Sequence, residues 1–372
     1  MVNRNRAERA VRGATRSVVA YHRDLLVKSP SIREIGAICT VENPATNESR
    51  AASADAIDRA LRAGAGVLAI SGRKILRVVG DDRISFLHGM SSGNFKDAAA
   101  GSILPALFLT EHAHLLADFF AWIDVAGIFL DIDSTQWEAA RAHLERLIVA
   151  DDVEFEDMSD TVLIDIEGPR AAEAVRAALG GEAAPLTEWR FMRRGEFLIG
   201  NLPRYGSSAY SIIAPANAAA RVVAQVAGLG GDFQAVQPDA LDVIRIENGI
   251  AITGVDTGDK TIALEARLAR AIAPRKGCYV GQETIERVTA RGGLRKRLFG
   301  LRIEGGRVPE RGAAVMLSGK EVGRLTSAAC SAKFGVIGLA ILHHSACQEG
   351  TALLIADAIG EIGAKVSELP FH

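Results

Sequence analysis

Between about residue 66 and residue 250 the order strand, helix, strands, helix occurs twice, and beyond Gly293 it gives way to short strands alone. That ordering restricts the fold more than any bulk property does. In the first pass, 66–70 is a short strand and 74–79 (KILRVV) alternates apolar and polar residues, as a half-buried strand does. Gly80-Asp81-Asp82 is a turn and N-cap for a helix over Arg83–Met90. Strands over 106–109 and 115–122 flank the turn 110–114, and a strand covers 127–132. Ser134 caps an amphipathic helix over 134–149, with Trp137, Ala140, Leu144 and Leu147 on one face. The second pass has a strand at Thr161–Glu167 and the turn Gly168-Pro169. A helix over 169–179 opens with proline in its first turn. Strands over 190–199 and 209–214 and helices over 217–227 and 239–246 complete it. Adjacent strands with covering helices predict an α+β body rather than a doubly wound sheet. No GxGxxG lies between a strand and a helix, so nothing supports a dinucleotide site. Six short strands follow over 297–303, 314–317, 321–327, 335–342, 351–356 and 360–366, several bounded by glycine turns. They predict a small β-barrel or sandwich, with the domain boundary near Gly292-Gly293.

A chain of 372 residues can bury ample core for two or three domains. Its net charge of −2 argues against general nucleic-acid coating. No run of eighteen apolar residues predicts a membrane helix. Four cysteines without CxxC spacing predict neither a zinc site nor a disulfide framework, and a reducing, cytoplasmic setting follows as the default. Residues 1–33 carry +6, which leaves −8 on the remainder. An Arg-rich, acid-poor start is either an extension of marginal order or a transit peptide, the second placing the protein in the mitochondrial matrix. Residues 41–53, rich in Asn, Ser, Thr and Pro, read as a linker. The expected plan is a basic extension and linker over 1–55, a body over 56–292 and a β-barrel over 293–372. Within the body, two lobes cover about 62–155 and 156–250, and a motif region covers 251–292.

Four groups of residues could carry chemistry. In Lys276-Gly277-Cys278-Tyr279-Val280-Gly281-Gln282-Glu283 one cysteine stands between two glycines, two residues after a lysine and ahead of a helix expected from Thr284 to Arg291. A helix N-terminus and a neighbouring cation both favour thiolate. The competing reading is a structural turn with a buried, inert thiol. Asp118 lies in an apolar strand, on the face expected to hold Leu116, Phe120 and Trp122, where a carboxylate is costly unless paired or used. Arg245 and Glu247 share a face if their segment is extended. There Arg245 would fork onto a carboxylate ligand or make an internal salt bridge. Arg291, Arg295, Lys296 and Arg297 form a basic cluster at the domain junction, suited to a polyanionic tail or merely solvated. His112, His114, His343 and His344 offer no third metal ligand at a recognisable spacing, and no GxSxG elbow is present.

The octet at 276–283 resembles the signature of the YgfZ-type folate-binding proteins, relatives of an iron–sulfur cluster maturation factor. Their superfamily is that of the glycine cleavage T-protein, a tetrahydrofolate-dependent aminomethyltransferase. The resemblance spans about residues 62–372. It includes Val78-Val79-Gly80-Asp81-Asp82, Phe86-Leu87-His88-Gly89-Met90, the segment 244–250 and the chain end Leu369-Pro370-Phe371. It implies two related α+β lobes and a C-terminal barrel in a three-lobed ring around a folate channel, and hence a monomer. Asp118 would face the reactive nitrogens of tetrahydrofolate. Arg245, with Glu247, would contact the ligand, and Arg295 or Arg297 would meet the acidic tail of a polyglutamylated form. The T-protein holds its substrate with a glutamate in a glycine-rich turn. The matching stretch here, 203–210 (PRYGSSAY), has no acid. The resemblance therefore implies a folate-dependent accessory protein for iron–sulfur assembly, with assembly or client proteins as partners and Cys278 as its thiol. Lys276, Gly277, Tyr279, Gly281, Gln282 and Glu283 would complete the motif. The alternative is an aminomethyl- or methyltransferase that uses Asp118 and needs Cys278 only structurally. A third possibility is a scaffold that binds no folate.

Overall fold

The computed structural model describes residues 47–372 apart from 181–185, 207 and 292. The basic segment 1–33 lies outside the described residues. Part of the expected linker is helical, because helix α1 spans Asn47–Ala63. Alanines and charged residues favour that conformation once the proline at 44 is passed.

Strands β1 (Ala65–Ile70) and β2 (Arg73–Val79) precede helix α2 (Arg83–Met90). Strands β3 (Ser102–Leu109), β4 (Leu115–Asp124) and β5 (Gly127–Asp133) form a meander that leads to helix α3 (Ser134–Leu144). The cap of α3 is Asp133, not Ser134: its carboxylate accepts from the N–H groups of Thr135 and Gln136. Strand β6 (Glu154–Asp157) closes this half. The second half runs β7 (Thr161–Glu167), helix α4 (Ala171–Leu179), β8 (Arg190–Arg194), β9 (Phe197–Asn201), β10 (Ala209–Pro215), helix α5 (Ala216–Ala227), β11 (Phe233–Ala235) and helix α6 (Pro238–Glu247). The strand expected over 190–199 is thus a hairpin, broken at Gly195 with φ of 56°.

All eleven strands form one sheet in the order β11-β1-β7-β10-β9-β8-β3-β4-β5-β2-β6. The sub-orders β3-β4-β5-β2 and β8-β9-β10-β7 match, so the repeat seen in the sequence is a repeat of topology. Strand β1 lies beside β7 and β11 in the second half, although it opens the stretch expected to be the first lobe. Helices cover the outer faces. Ala174, Val175, Val222 and Val226 pack on the second half, and Phe86, Leu87, Trp137 and Leu144 on the first. The inner faces meet each other: Ile75, Phe120, Trp122 and Phe129 of one half pack with Leu163, Leu198 and Ile213 of the other. Full burial of each such side chain contributes about 1.5–3 kcal/mol.

An irregular segment then crosses the body through a short 3-10 helix at Leu268–Ala271 and helix α7 (Gln282–Arg291). The chain ends in a closed six-stranded barrel of β12 (Lys296–Ile303), β13 (Ala314–Leu317), β14 (Lys320–Ser331), β15 (Gly335–His343), β16 (Ala352–Asp357) and β17 (Gly360–Ser367). Phe299, Leu301 and Ile303 fill its interior, while Leu298 faces the body beside Leu107, Leu109 and Ile285. No helix among the described residues is long and apolar enough to cross a membrane.

Candidate functional site

Asp118 is half-buried on β4, and its position differs from the expected one in one respect. Phe120 and Trp122 share its face, but Leu116 packs on the helix side with Phe86 and Trp137. A β-bulge causes this: Phe108 pairs Ala117 and Leu109 pairs Leu115, so Leu116 is skipped and the alternation shifts. The cross-strand partner of Asp118 is Leu107, which belongs to the cluster against the barrel, whereas Phe120 belongs to the cluster between the sheet halves. Asp118 therefore stands where the apolar lining of the inner face parts. Its backbone N–H donates to Gln136 Oε1 (3.0 Å), and Gln136 Nε2 donates to the Thr253 carbonyl (3.1 Å). Its carboxylate makes no hydrogen bond among the described residues.

Arg270 belongs to the 3-10 helix Leu268–Ala271, which packs against β3. The neighbouring carbonyl of Ala271 accepts from Ser92 Oγ, and Ser92 Oγ accepts from the N–H of Leu107, the partner of Asp118. Burial lowers the pKa of the Arg270 guanidinium, Asp118 raises it, and Arg204 lowers it further. Arg270 makes no hydrogen bond among the described residues.

Arg204 lies inside the 203–210 stretch that lacks the T-protein acid. Its Nε donates to Asp165 (2.8 Å) and its Nη2 to Asp131, and its guanidinium lies 4.8 Å from the centre of the Phe120 ring. Arg73 Nε donates to the other oxygen of Asp131 (2.6 Å), and Ser211 Oγ donates to Asp165. Both carboxylates are fully buried. Burial pushes Asp131 up, but Arg204 and Arg73 outweigh it and hold this carboxyl below its usual range. Burial raises Asp165, and Arg204 offsets this only in part. Tyr205 is also raised, by burial and then by Asp165.

The octet forms a strapped loop. The Lys276 ammonium donates to the carbonyls of His88, Ser91 (2.7 Å) and Gly93 (3.0 Å), and the Lys276 carbonyl meets His88 Nε2 at 2.7 Å. Burial lowers Lys276 to about 8, and Lys96 adds to this. All three ammonium protons are thus engaged by carbonyls. The Val280 N–H donates to the Gly89 carbonyl (3.2 Å), and Gln282 Oε1 accepts from the Tyr279 N–H (3.2 Å). Gly281 has φ of 86°, and a Cβ there would meet the Thr110 carbonyl oxygen at 2.7 Å. Cys278 is exposed between these anchors. The helix starts at Gln282, two residues earlier than expected, and Glu283 lies in its first turn. Lys276→Met should lower stability by about 1–3 kcal/mol, because it strands buried carbonyls. Faster amide exchange at residues 276–281 is expected with it; unchanged exchange there would refute the strap.

Two expected ligand residues are committed elsewhere. Their segment is helical, so Arg245 and Glu247 point in opposed directions instead of sharing a face. Arg245 donates to Asp242, Asp256 (2.8 Å), Ser327 Oγ (2.7 Å) and the Ile250 carbonyl, and is 1% exposed. Glu247 takes a fork from Arg62 (2.7 and 3.1 Å) and a bond from Ser331 Oγ (2.6 Å). Arg295, Lys296 and Arg297 are exposed at the start of β12; the side chain of Arg291 lies outside the described residues.

The family model for the GCVT N-terminal domain matches residues 30–276, and the model for the glycine cleavage T-protein C-terminal barrel domain matches 296–372. The chain belongs to the glycine cleavage T-protein family. A chloroplastic protein of Arabidopsis thaliana, provisionally named a transferase, is 28% identical over 80% of this chain and 68% of its own length. An aminomethyltransferase of Rubrobacter xylanophilus is 27% identical over 84% of each chain. In fold, the chain matches the crystal structure of the glycine cleavage system aminomethyltransferase T from Bartonella henselae. The TM-score is 0.78 at 21% identity, over 85% of this chain and 88% of that one. The family thus accounts for the mixed-sheet body and the closed barrel.

Arg204 and Arg270 did not figure among the expected site residues. The signal for Arg204 was present in its partners: Leu130-Asp131-Ile132 and Ile164-Asp165-Ile166 each set an acid in an apolar strand, as at Asp118. Two such acids require a buried cation. Arg270 has no comparable signal.

Proposed function

We propose that the protein binds tetrahydrofolate, or a polyglutamylated form, in a channel between the body and the barrel, and that the Cys278 thiol supports iron–sulfur cluster assembly or repair. The presentation of Cys278 carries this reading. The loop is anchored on both sides of the cysteine, by Lys276 and by Val280, and leaves that side chain exposed. An inert structural cysteine would be packed inside. Folate fits the open carboxylate of Asp118 on the inner face, with the exposed Arg295 and Arg297 available for an acidic tail. Arg245 and Glu247 do not fit a ligand role, because their polar atoms are engaged within the protein. Family members named as aminomethyltransferases add to the case for folate. The protein is proposed to act as a monomer, in the cytoplasm or, if 1–33 is an address, in an organelle, with assembly factors or client proteins as partners.

A second reading, one-carbon transfer from an aminomethyl or methyl donor, is favoured by those same relatives and by the unbonded Asp118 carboxylate. Calorimetry with tetrahydrofolate and two variants separates the readings. Cys278→Ala should bind folate as the parent does, while Asp118→Asn should bind it about tenfold more weakly, a difference of roughly 1.4 kcal/mol. Cells carrying only Cys278→Ala should lose activity of [4Fe–4S] enzymes, and full activity there sinks the thiol's role. Turnover of an aminomethyl donor that is lost in Asp118→Asn but kept in Cys278→Ala would establish the transferase instead.

A further inference from the structure

Asp118 stands one residue beyond the ladder that β4 makes with β5. That ladder runs from Asp124–Gly127 to Phe119–Ile132, and the next residue of β5, Asp133, turns the chain into α3. On its other side Asp118 pairs with Leu107, but the N–H and the carbonyl of Leu107 both bond Ser92. The pair is therefore of the non-hydrogen-bonded kind, and the Asp118 N–H points away from β3, toward the place that β5 has left. Gln136, in the first turn of α3, fills that place with its side chain. Its Oε1 accepts from the Asp118 N–H at 3.0 Å, and its Nε2 donates to the Thr253 carbonyl at 3.1 Å. The residue is itself fixed: it is 8% exposed, and its N–H donates to the Asp133 carboxylate at 3.3 Å. The bulge at Leu116 interrupts the β3 pairing just before Asp118, so the sheet alone fixes this stretch of β4 poorly. A neutral amide can accept from one side and donate to the other, which an alkyl side chain cannot.

We infer that Gln136 is a positioning residue: it stands in for the missing strand, fixes the backbone of Asp118 against the Thr253 carbonyl, and so holds the Asp118 carboxylate on the inner face. The use of that carboxylate toward folate rests on the function proposed above; its positioning by Gln136 does not.

Carbon-13 NMR of the Asp118 carboxyl in the ligand-free full chain, and calorimetry with tetrahydrofolate, test the two parts separately. Gln136→Leu removes both side-chain bonds. It should shift or broaden the Asp118 carboxyl signal and weaken tetrahydrofolate about fivefold, less than the roughly tenfold expected of Asp118→Asn. Added to Asp118→Asn, it should weaken binding little further, because it acts through that carboxylate. Gln136→Glu is the conservative check. A neutral carboxyl accepts and donates as the amide does, whereas the ionised form only accepts. Asp118 and Asp133, which bond Gln136, titrate in parent and variant alike, so each comparison is with the parent at the same pH. At alkaline pH Gln136→Glu should behave as Gln136→Leu does. It should return to the parent's Asp118 signal and affinity as the introduced carboxyl takes up its proton, and Gln136→Leu should not. An unmoved Asp118 signal in Gln136→Leu overturns the inference, as does a full additional loss in the double variant or a Gln136→Glu protein that never approaches the parent. Should Gln136→Leu fail to fold, Gln136→Glu decides alone. If the parent binds no tetrahydrofolate while its Asp118 signal depends on Gln136, only the folate reading falls.

Discussion

Arg204→Met is expected to destabilise the protein by about 3–5 kcal/mol, the scale for removing one partner of a buried ion pair. Asp131 would keep Arg73, but Asp165 would keep only Ser211 as a side-chain partner, and both carboxylates are inaccessible to solvent. The pH dependence provides the sharper reading. In the parent, Asp131 is held below its usual range. It therefore contributes stability above the unfolded-state carboxyl pKa, and loses it as pH falls through its own lower value. Without Arg204, burial should raise Asp165 further and lift Asp131 as well. The variant should then gain stability relative to the parent as pH is lowered from neutral toward 5, because the stranded acids take up protons. Thermal unfolding of both proteins across that range tests it. A constant difference between them would mean that the acids are not what Arg204 balances.

Arg245→Leu should cost a similar amount, about 3–5 kcal/mol, for a related reason. Asp256 is fully buried and would lose its cation, although Thr326, Ser327 and the Ile252 N–H still donate to it. The bonds that Arg245 makes extend from α6 to β14, so the loss should fall on the joint between body and barrel. Denaturant unfolding should reveal it as a lower midpoint. Arg245→Lys keeps the charge but not the five-donor fork, and should lie between parent and Arg245→Leu. A Lys variant as unstable as the Leu variant would show that the fork matters more than the charge.

These two arginines show what was legible in the sequence. The repeated element order and the glycine-punctuated tail follow from local periodicity, and the body and barrel follow that pattern. Cap and turn identities slipped by one or two residues, as at Asp133 and Gly195, because neighbouring residues offer equivalent local chemistry. The swap of β1 into the second half was not legible, since pairing with β7 and β11 joins residues about a hundred or more positions apart. At the site, Asp118 stood out because an acid in an apolar strand demands an explanation. Arg245 was legible as a charged residue in need of a partner. The choice between ligand and internal acid depended on whether its segment was helix or strand, and the helix aims it at Asp256. The face of Leu116 was misread because a bulge resets the period of two, and nothing in a single strand's composition announces one.

The continuity of the eleven-stranded sheet limits how anything enters this protein. Where the halves meet at β3 and β8, the Ile103 N–H bonds the Trp189 carbonyl and the Phe191 N–H bonds the Gly101 carbonyl, both at 2.8 Å. Apolar side chains from both sides fill the interior across that line. Hinged lobes open like jaws, and a seam of this kind has no jaw to open. The crossing segment is tied to the body near Asp118 at Leu115–Thr261 on β4, at Ser92–Ala273 after α2 and at Gln136–Thr253 on α3. If the protein binds folate as proposed above, it is release of such ties, rather than motion between the halves, that admits the ligand, and loosening one of them should speed both association and dissociation.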